Sequence, residues 1–202
     1  MTASIKVFPR YSGLCLLALL GFVLQLQGCV EMAAVGMGAA VMASEDRRTM
    51  GAQTEDKDID VRSESRINSR FGDKVHINVT SFNRNVLLTG EAPDAATKAE
   101  IEKIVRAIPN VRGIVNEIQL AGVSSYAARG NDSYLTSKVK ARFIDNGKFG
   151  INHVKVVTEA AVVYLLGLVT RREADEAVEI ARTTGGVQKV VRVFEYVEAP
   201  QK

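Results

Sequence analysis

Twelve residues, Val163 to Ala174 (VYLLGLVTRREA), recur in weaker form at Val86 to Ala96, and this internal repeat limits the possible folds more than any other feature of the chain. With Gly90 set on Gly167, 77 residues apart, Ile77 falls on Val154, Val79 on Val156, Val86 on Val163 and Leu88 on Leu165. Past the next helix the register slips by one, so that Val111 meets Val187 and Ile114 meets Val190. Each copy must be one small supersecondary unit, and 202 residues are therefore read as two similar domains. Copies of roughly 65 residues lie near the lower limit for a self-sufficient core. They are expected to pack on each other or on another molecule.

The first copy is placed at 58–121 and the second at 131–198, with a Ser/Ala/Gly connector at 122–130. In the first, Ile59, Ile67 and Phe71 suggest a short helix weakened by Ser63, Ser65 and Ser69. Val75 to Thr80 and Val86 to Ala92 alternate as strands around an Asn83-Arg84-Asn85 turn. Ile101, Ile104, Val105 and Ile108 mark the inner face of a second helix, stopped by Pro109-Asn110, and Val111 to Leu120 supplies the last strand. The second copy repeats this order. Asn131, Asp132 or Ser133 is expected to cap a helix carrying Leu135, Val139 and Phe143, and a hairpin follows. Thr170 and Glu173 have capping-box spacing, and a small-residue helix face ends at Gly185-Gly186. The fold class is α+β: two tandem domains, each helix-strand-strand-helix-strand, with a three-stranded mixed sheet and helices on one face.

Residues 1–28 read as an export signal, with Lys6 and Arg10 ahead of the apolar run Leu14 to Leu26 and then Gln27-Gly28-Cys29. The run falls short of the about 20 residues a span needs. Leu-Gln-Gly-Cys resembles the bacterial lipobox, which implies cleavage before Cys29 and its acylation, palmitate included. Cys15 leaves with the signal, so the lone remaining thiol is the acylated one. Several acyl chains, at about 0.8 kcal/mol per buried methylene, anchor stably. Val30 stands where an Asp would favour the inner membrane, which points to the outer one. Residues 29–57 form a lipidated Ala/Gly/Met tether followed by a charged linker, and Met32 to Ala43 is too short for a second span.

The hairpin ending Val-x-Leu-x-Gly, the Ala-rich helix and the closing Val-x-x-Val strand, read twice, resemble the BON domain. Together with the lipobox and tether they resemble the dual-BON outer-membrane lipoproteins. The resemblance implies a non-enzymatic, periplasm-facing protein that binds anionic phospholipid and maintains envelope integrity, with a link to the division site. Two departures stand out. Glu159-Ala160-Ala161 lacks the Gly expected in the second hairpin turn, and Arg192 replaces Asn116.

Composition and motifs argue against other classes. The net charge of +3 falls to +1 once Lys6 and Arg10 leave, and no dense basic run is present, so nucleic acid is not an expected partner. No phosphate loop, nucleophile elbow or HExxH pattern points to an enzyme, a cofactor or a small-molecule substrate. His76 and His153 occupy equivalent repeat positions, but coordination needs three or four converging ligands and no Cys or carboxylate motif accompanies either, so no metal is expected. Asp175, Glu176 and Glu179 among Arg171, Arg172 and Arg182 read as a solvated helix face. The other function class kept open is a scaffold for an envelope-assembly or cell-wall-remodelling protein.

Two surfaces carry the functional expectations. On the sheet face away from the helices, the first copy would show Asn78, Thr80, Leu87, Thr89, Glu91, Glu117 and Gln119, which suits water. The second would show Val157, Tyr164, Leu166, Leu168, Val191 and Val193, too apolar to stay bare. Phe82, Tyr164, Leu166 and Leu168 are therefore assigned to an inter-domain or partner contact. Lipid contact is assigned to the first helix of the second copy, at Tyr134, Leu135, Lys138 and Arg142. There Leu135, Val139 and Phe143 point inward and turn Tyr134, Lys138 and Arg142 onto another face.

Overall fold

The computed structural model describes residues 46–198. Helix α1, Met50–Phe71, starts eight residues before Asp58 and takes up much of the expected linker. Thr49 caps it, its hydroxyl accepting from the Ala52 amide, and a continuous inner stripe of Ala52, Asp56, Ile59, Ser63 and Ile67 buries one side. The stripe explains why the serines do not break the helix. Ser65 and Ser69 lie on the solvent side, and Gly72 at φ +53° ends the last turn by donating its amide to the Asn68 carbonyl.

Strands β1, His76–Phe82, and β2, Asn85–Ala92, form the antiparallel hairpin, with Phe82 opposite Asn85. Helix α2, Ala95–Arg106, is capped by the Asp94 carboxylate and crosses over to strands β3, Gly113–Asn116, and β4, Gln119–Leu120, both parallel to β2. One strand was expected from Val111 to Leu120. It is interrupted at Glu117-Ile118, where Ile118 enters the core at 2% exposure and its carbonyl accepts Lys98 Nζ at 2.7 Å.

The second domain repeats the plan. Helix α3, Tyr126–Asn146, begins within the expected connector, capped by Ser125 rather than by Asn131, Asp132 or Ser133. Strands β5, Val154–Glu159, and β6, Val162–Val169, are antiparallel, and helix α4, Arg171–Arg182, leads to β7, Lys189–Tyr196, parallel to β6. Thr170 and Glu173 complete the capping box at the start of α4. Each sheet has the second strand of the hairpin at its centre, and each domain buries its helices on one sheet face around its own core.

The repeated glycines have a backbone cause. A Cβ on Gly90 would lie 1.9 Å from the His76 carbonyl oxygen, and one on Gly167 would lie 2.3 Å from that of His153. At both positions it is a backbone carbonyl at the start of the neighbouring strand that excludes a side chain. Among the described residues no helix is long and apolar enough to cross a membrane.

Candidate functional site

The helix-free faces of the two sheets meet. Phe82 and Leu87 from the first domain and Tyr164 and Leu166 from the second, all at most 5% exposed, form one apolar cluster, flanked by half-buried Val115, Val157, Val162, Leu168, Val191 and Val193. Burial pushes the Tyr164 phenol up to about 12. The face of the first sheet expected to meet water is itself covered: Thr80, Thr89 and Glu91 are buried along with Leu87. Polar pairs fasten the rim. Asn78 Nδ2 donates to Glu159 at 2.7 Å, Asn83 Nδ2 donates to Glu195 at 2.8 Å, and Asn85 donates to the other oxygen of Glu195.

Arg47, just ahead of α1, also reaches the second domain. Its guanidinium grips Glu173 with both arms, at 2.7 and 2.9 Å, and donates to the Leu168 carbonyl at 2.9 Å. Burial tends to raise the Glu173 carboxyl, but the bonds from Arg47 and Thr170 overcome it and hold the group at about 2. His153 Nδ1 lies 3.3 Å from the same carboxylate. Beside it, Arg48 stacks 4.0 Å above the Phe82 ring and pairs with Asp46 and Asp56.

Two buried aspartates, missed in the sequence, hold the hairpins. Asp56 of α1 accepts from the Asn83 and Arg84 amides at 2.8 and 2.7 Å and from Ser81 Oγ at 2.6 Å. Asp132 of α3 accepts from the Ala160 and Ala161 amides, both at 2.9 Å. All four turn residues have positive φ, between 49° and 66°. The second turn forms without glycine because a buried carboxylate fixes the two amides that this left-handed pair presents. The legible signal was the Asp recurring 76 residues apart within the repeat.

On α3 the four residues assigned to lipid separate. Tyr134 is 62% exposed, whereas Leu135 is 2% exposed and lies inward like Val139 and Phe143. Lys138 Nζ sits 5.4 Å from the Tyr134 ring centroid and donates to the Gly185 carbonyl at 2.6 Å. Arg142 turns to the end of α4, donating to the Ile180 carbonyl at 2.7 Å and to Thr184 Oγ1 at 2.8 Å, where a cation meets the carbonyl end of a helix. Ile144, 63% exposed and unmarked by the inward spacing of Leu135, Val139 and Phe143, continues the side of Tyr134, Ser137 and Ala141. Lys140 is exposed beside it, and Lys148, also exposed, is paired with Glu176 at 3.0 Å. Cys29 lies outside the described residues.

A family model described as the BON domain matches residues 55–122 and again 131–198. The chain is 32% identical to the outer membrane lipoprotein DolP of Haemophilus influenzae over 182 residues, 89% of this chain and 94% of that one. It is 30% identical over 155 residues to the 21 kDa hemolysin of Actinobacillus pleuropneumoniae, covering 76% of this chain and 80% of the other. A solved structure of CdsD, a structural protein of the type III secretion system of Chlamydia trachomatis, aligns over 69% of this chain and 93% of its own at 12% identity, with a TM-score of 0.29. Two family matches covering most of the chain, each on one helix-hairpin-helix-strand unit, and the near full-length likeness to a lipoprotein place this chain in the BON-domain family, as a two-domain outer-membrane lipoprotein of the DolP type.

Proposed function

We propose that the protein binds anionic phospholipid through the outward side of α3, without catalysing a reaction, and so supports envelope integrity, with a place at the division site. The observation that carries this reading is the exposed line Tyr134, Ser137, Ala141 and Ile144, at i, i+3, i+7 and i+10, with Lys140 beside it. A Tyr ring rests at headgroup depth with its hydroxyl wet, and the Ile side chain reaches below it. Each nearby lysine is worth about 1 kcal/mol against an anionic surface. Arg142 serves this face indirectly by holding α3 to α4. The matching helix of the first domain is less suited, since its exposed Val61 adjoins Arg62, which is paired with Asp58 at 2.8 Å. Acylated Cys29 would supply the anchor and α3 the second, headgroup-sensitive contact.

Co-sedimentation of the chain from Ser44 onward, lacking the acyl anchor, with phosphatidylglycerol vesicles and with phosphatidylcholine vesicles tests the reading. Binding to the anionic vesicles alone is expected. Tyr134→Ala with Ile144→Ala, or Lys138→Glu with Lys140→Glu, should lower it at least tenfold with circular dichroism unchanged. Absence of binding by the parent chain, or equal binding by folded variants, would reject the reading in favour of a protein partner.

A further inference from the structure

His76 and Glu91 are register partners at the open end of the first hairpin, so both side chains rise from the helix-free face of the first sheet. Glu159, at the end of β5 in the second domain, comes down on them from the opposite sheet. One ligand atom from each of the three residues lies within 4.8 Å of the other two. Both carboxylates are deeply buried, Glu91 at 5% and Glu159 at 4% exposure. Their protein partners are neutral donors: the Ser124 amide to Glu91 at 3.2 Å and the Asn78 side-chain amide to Glu159 at 2.7 Å. Among the described residues no lysine or arginine makes an ion pair with either. Arg129 lines the same cavity and its charge is felt at His76, but its Nε and Nη2 are bonded to Ser124 and not to either carboxylate.

Two like charges this close and this dry are not a stable arrangement without a positive charge in direct contact with them. The geometry points to a divalent transition-metal cation, of which Zn²⁺ is the type, bound by His76, Glu91 and Glu159 across the domain interface. One imidazole and two carboxylates are the donor set of such ions. Metal–ligand bonds of about 2.1 Å require the three donors to close in by roughly 1 Å from their present spacing, within the reach of Glu side-chain rotation. The adjoining cavity of about 360 Å³, lined also by Asn78, Thr80 and Thr136, leaves room for water to complete the coordination. Asn78, whose Nδ2 donates to Glu159 at 2.7 Å, holds that ligand in place. Because ligands come from both domains, the cation would fix the second domain on the first.

The test is isothermal titration of Zn²⁺ into the full-length lipoprotein in neutral detergent micelles after chelator treatment, with thermal unfolding followed alongside. One equivalent is expected to bind and to raise Tm by about 5 °C at a hundredfold excess over Kd. Glu159→Gln and Glu91→Gln keep side-chain shape and should each weaken binding at least tenfold and abolish the Tm shift, as should His76→Gln. Absence of zinc binding by the parent protein would overturn the inference, as would unchanged binding in the three variants. A rise in Tm of Glu159→Gln in metal-free buffer, with the parent binding no zinc, would show that the two carboxylates share a proton instead.

Discussion

The two domains repeat one plan yet treat their turns and outer surfaces differently. In the first, the hairpin turn is Asn83-Arg84, and Asp56 beneath it also takes Ser81 and Arg48. In the second, the turn is Ala160-Ala161, and among the described residues Asp132 accepts from its two backbone amides. The first domain gives Phe82 and a largely polar sheet face to the interface, while the second gives an apolar sheet face to it and an exposed aromatic-aliphatic line on α3 to the outside. Duplication thus divides the work. Neither sheet has to solve the problem of its bare face alone, and one helix is left available for a surface contact.

The buried aspartates give the largest test of this comparison. Asp56→Ala leaves two turn amides and Ser81 Oγ without their acceptor and takes from Arg48 one of its two carboxylate partners, at about 1–3 kcal/mol for each buried donor that finds no water. A loss of about 4 kcal/mol is expected in urea unfolding, against about 2 kcal/mol for Asp132→Ala, where only two amides are released. Equal losses would mean that the side-chain partners of Asp56 contribute nothing. Next comes the shared cluster: Leu166→Ala should cost about 3 kcal/mol although the residue lies outside the core of its own domain. A cost below about 1 kcal/mol would show that the interface closes over the cavity or contributes little.

The last test concerns pH. Burial, opposed by the Ser81 amide and by Lys155, pushes Asp60 up from 3.8 to about 6, so the fold favours its neutral form. The stabilisation from this group is complete below pH 3.8 and is lost as pH rises through about 6. Asp60→Asn should remove this part of the Tm profile between pH 4 and pH 7 while still accepting from Ser81. A profile with the same slope in that window would contradict it.

Much of this arrangement could be read from residue order. The 77-residue repeat, the alternating strands, the Thr170–Glu173 capping box and the two glycines all depend on neighbours close in sequence, and their patterns survive in one dimension. The starts of α1 and α3 did not, because their first turns are largely exposed and present no periodic apolar side, so Met50 and Tyr126 read as linker. Asp56 read as a linker charge and Asp132 as one of three candidate caps, since the turn groups that their carboxylates hold lie 25 or more residues away. The cluster of His76, Glu91 and Glu159 fails for the same reason, being assembled from two strands of one domain and one of the other. Arg142 was assigned to the outside by helical spacing alone, which says nothing of a neighbouring helix ending within its reach.

The Arg47 fork has a mechanical consequence. The chain is clamped to Glu173 and Leu168 of the second domain before the first helix of the first domain begins. Tension applied from the amino-terminal side is therefore carried first into the later domain, in parallel with α1, and the order in which the domains bear load is the reverse of their order in the chain.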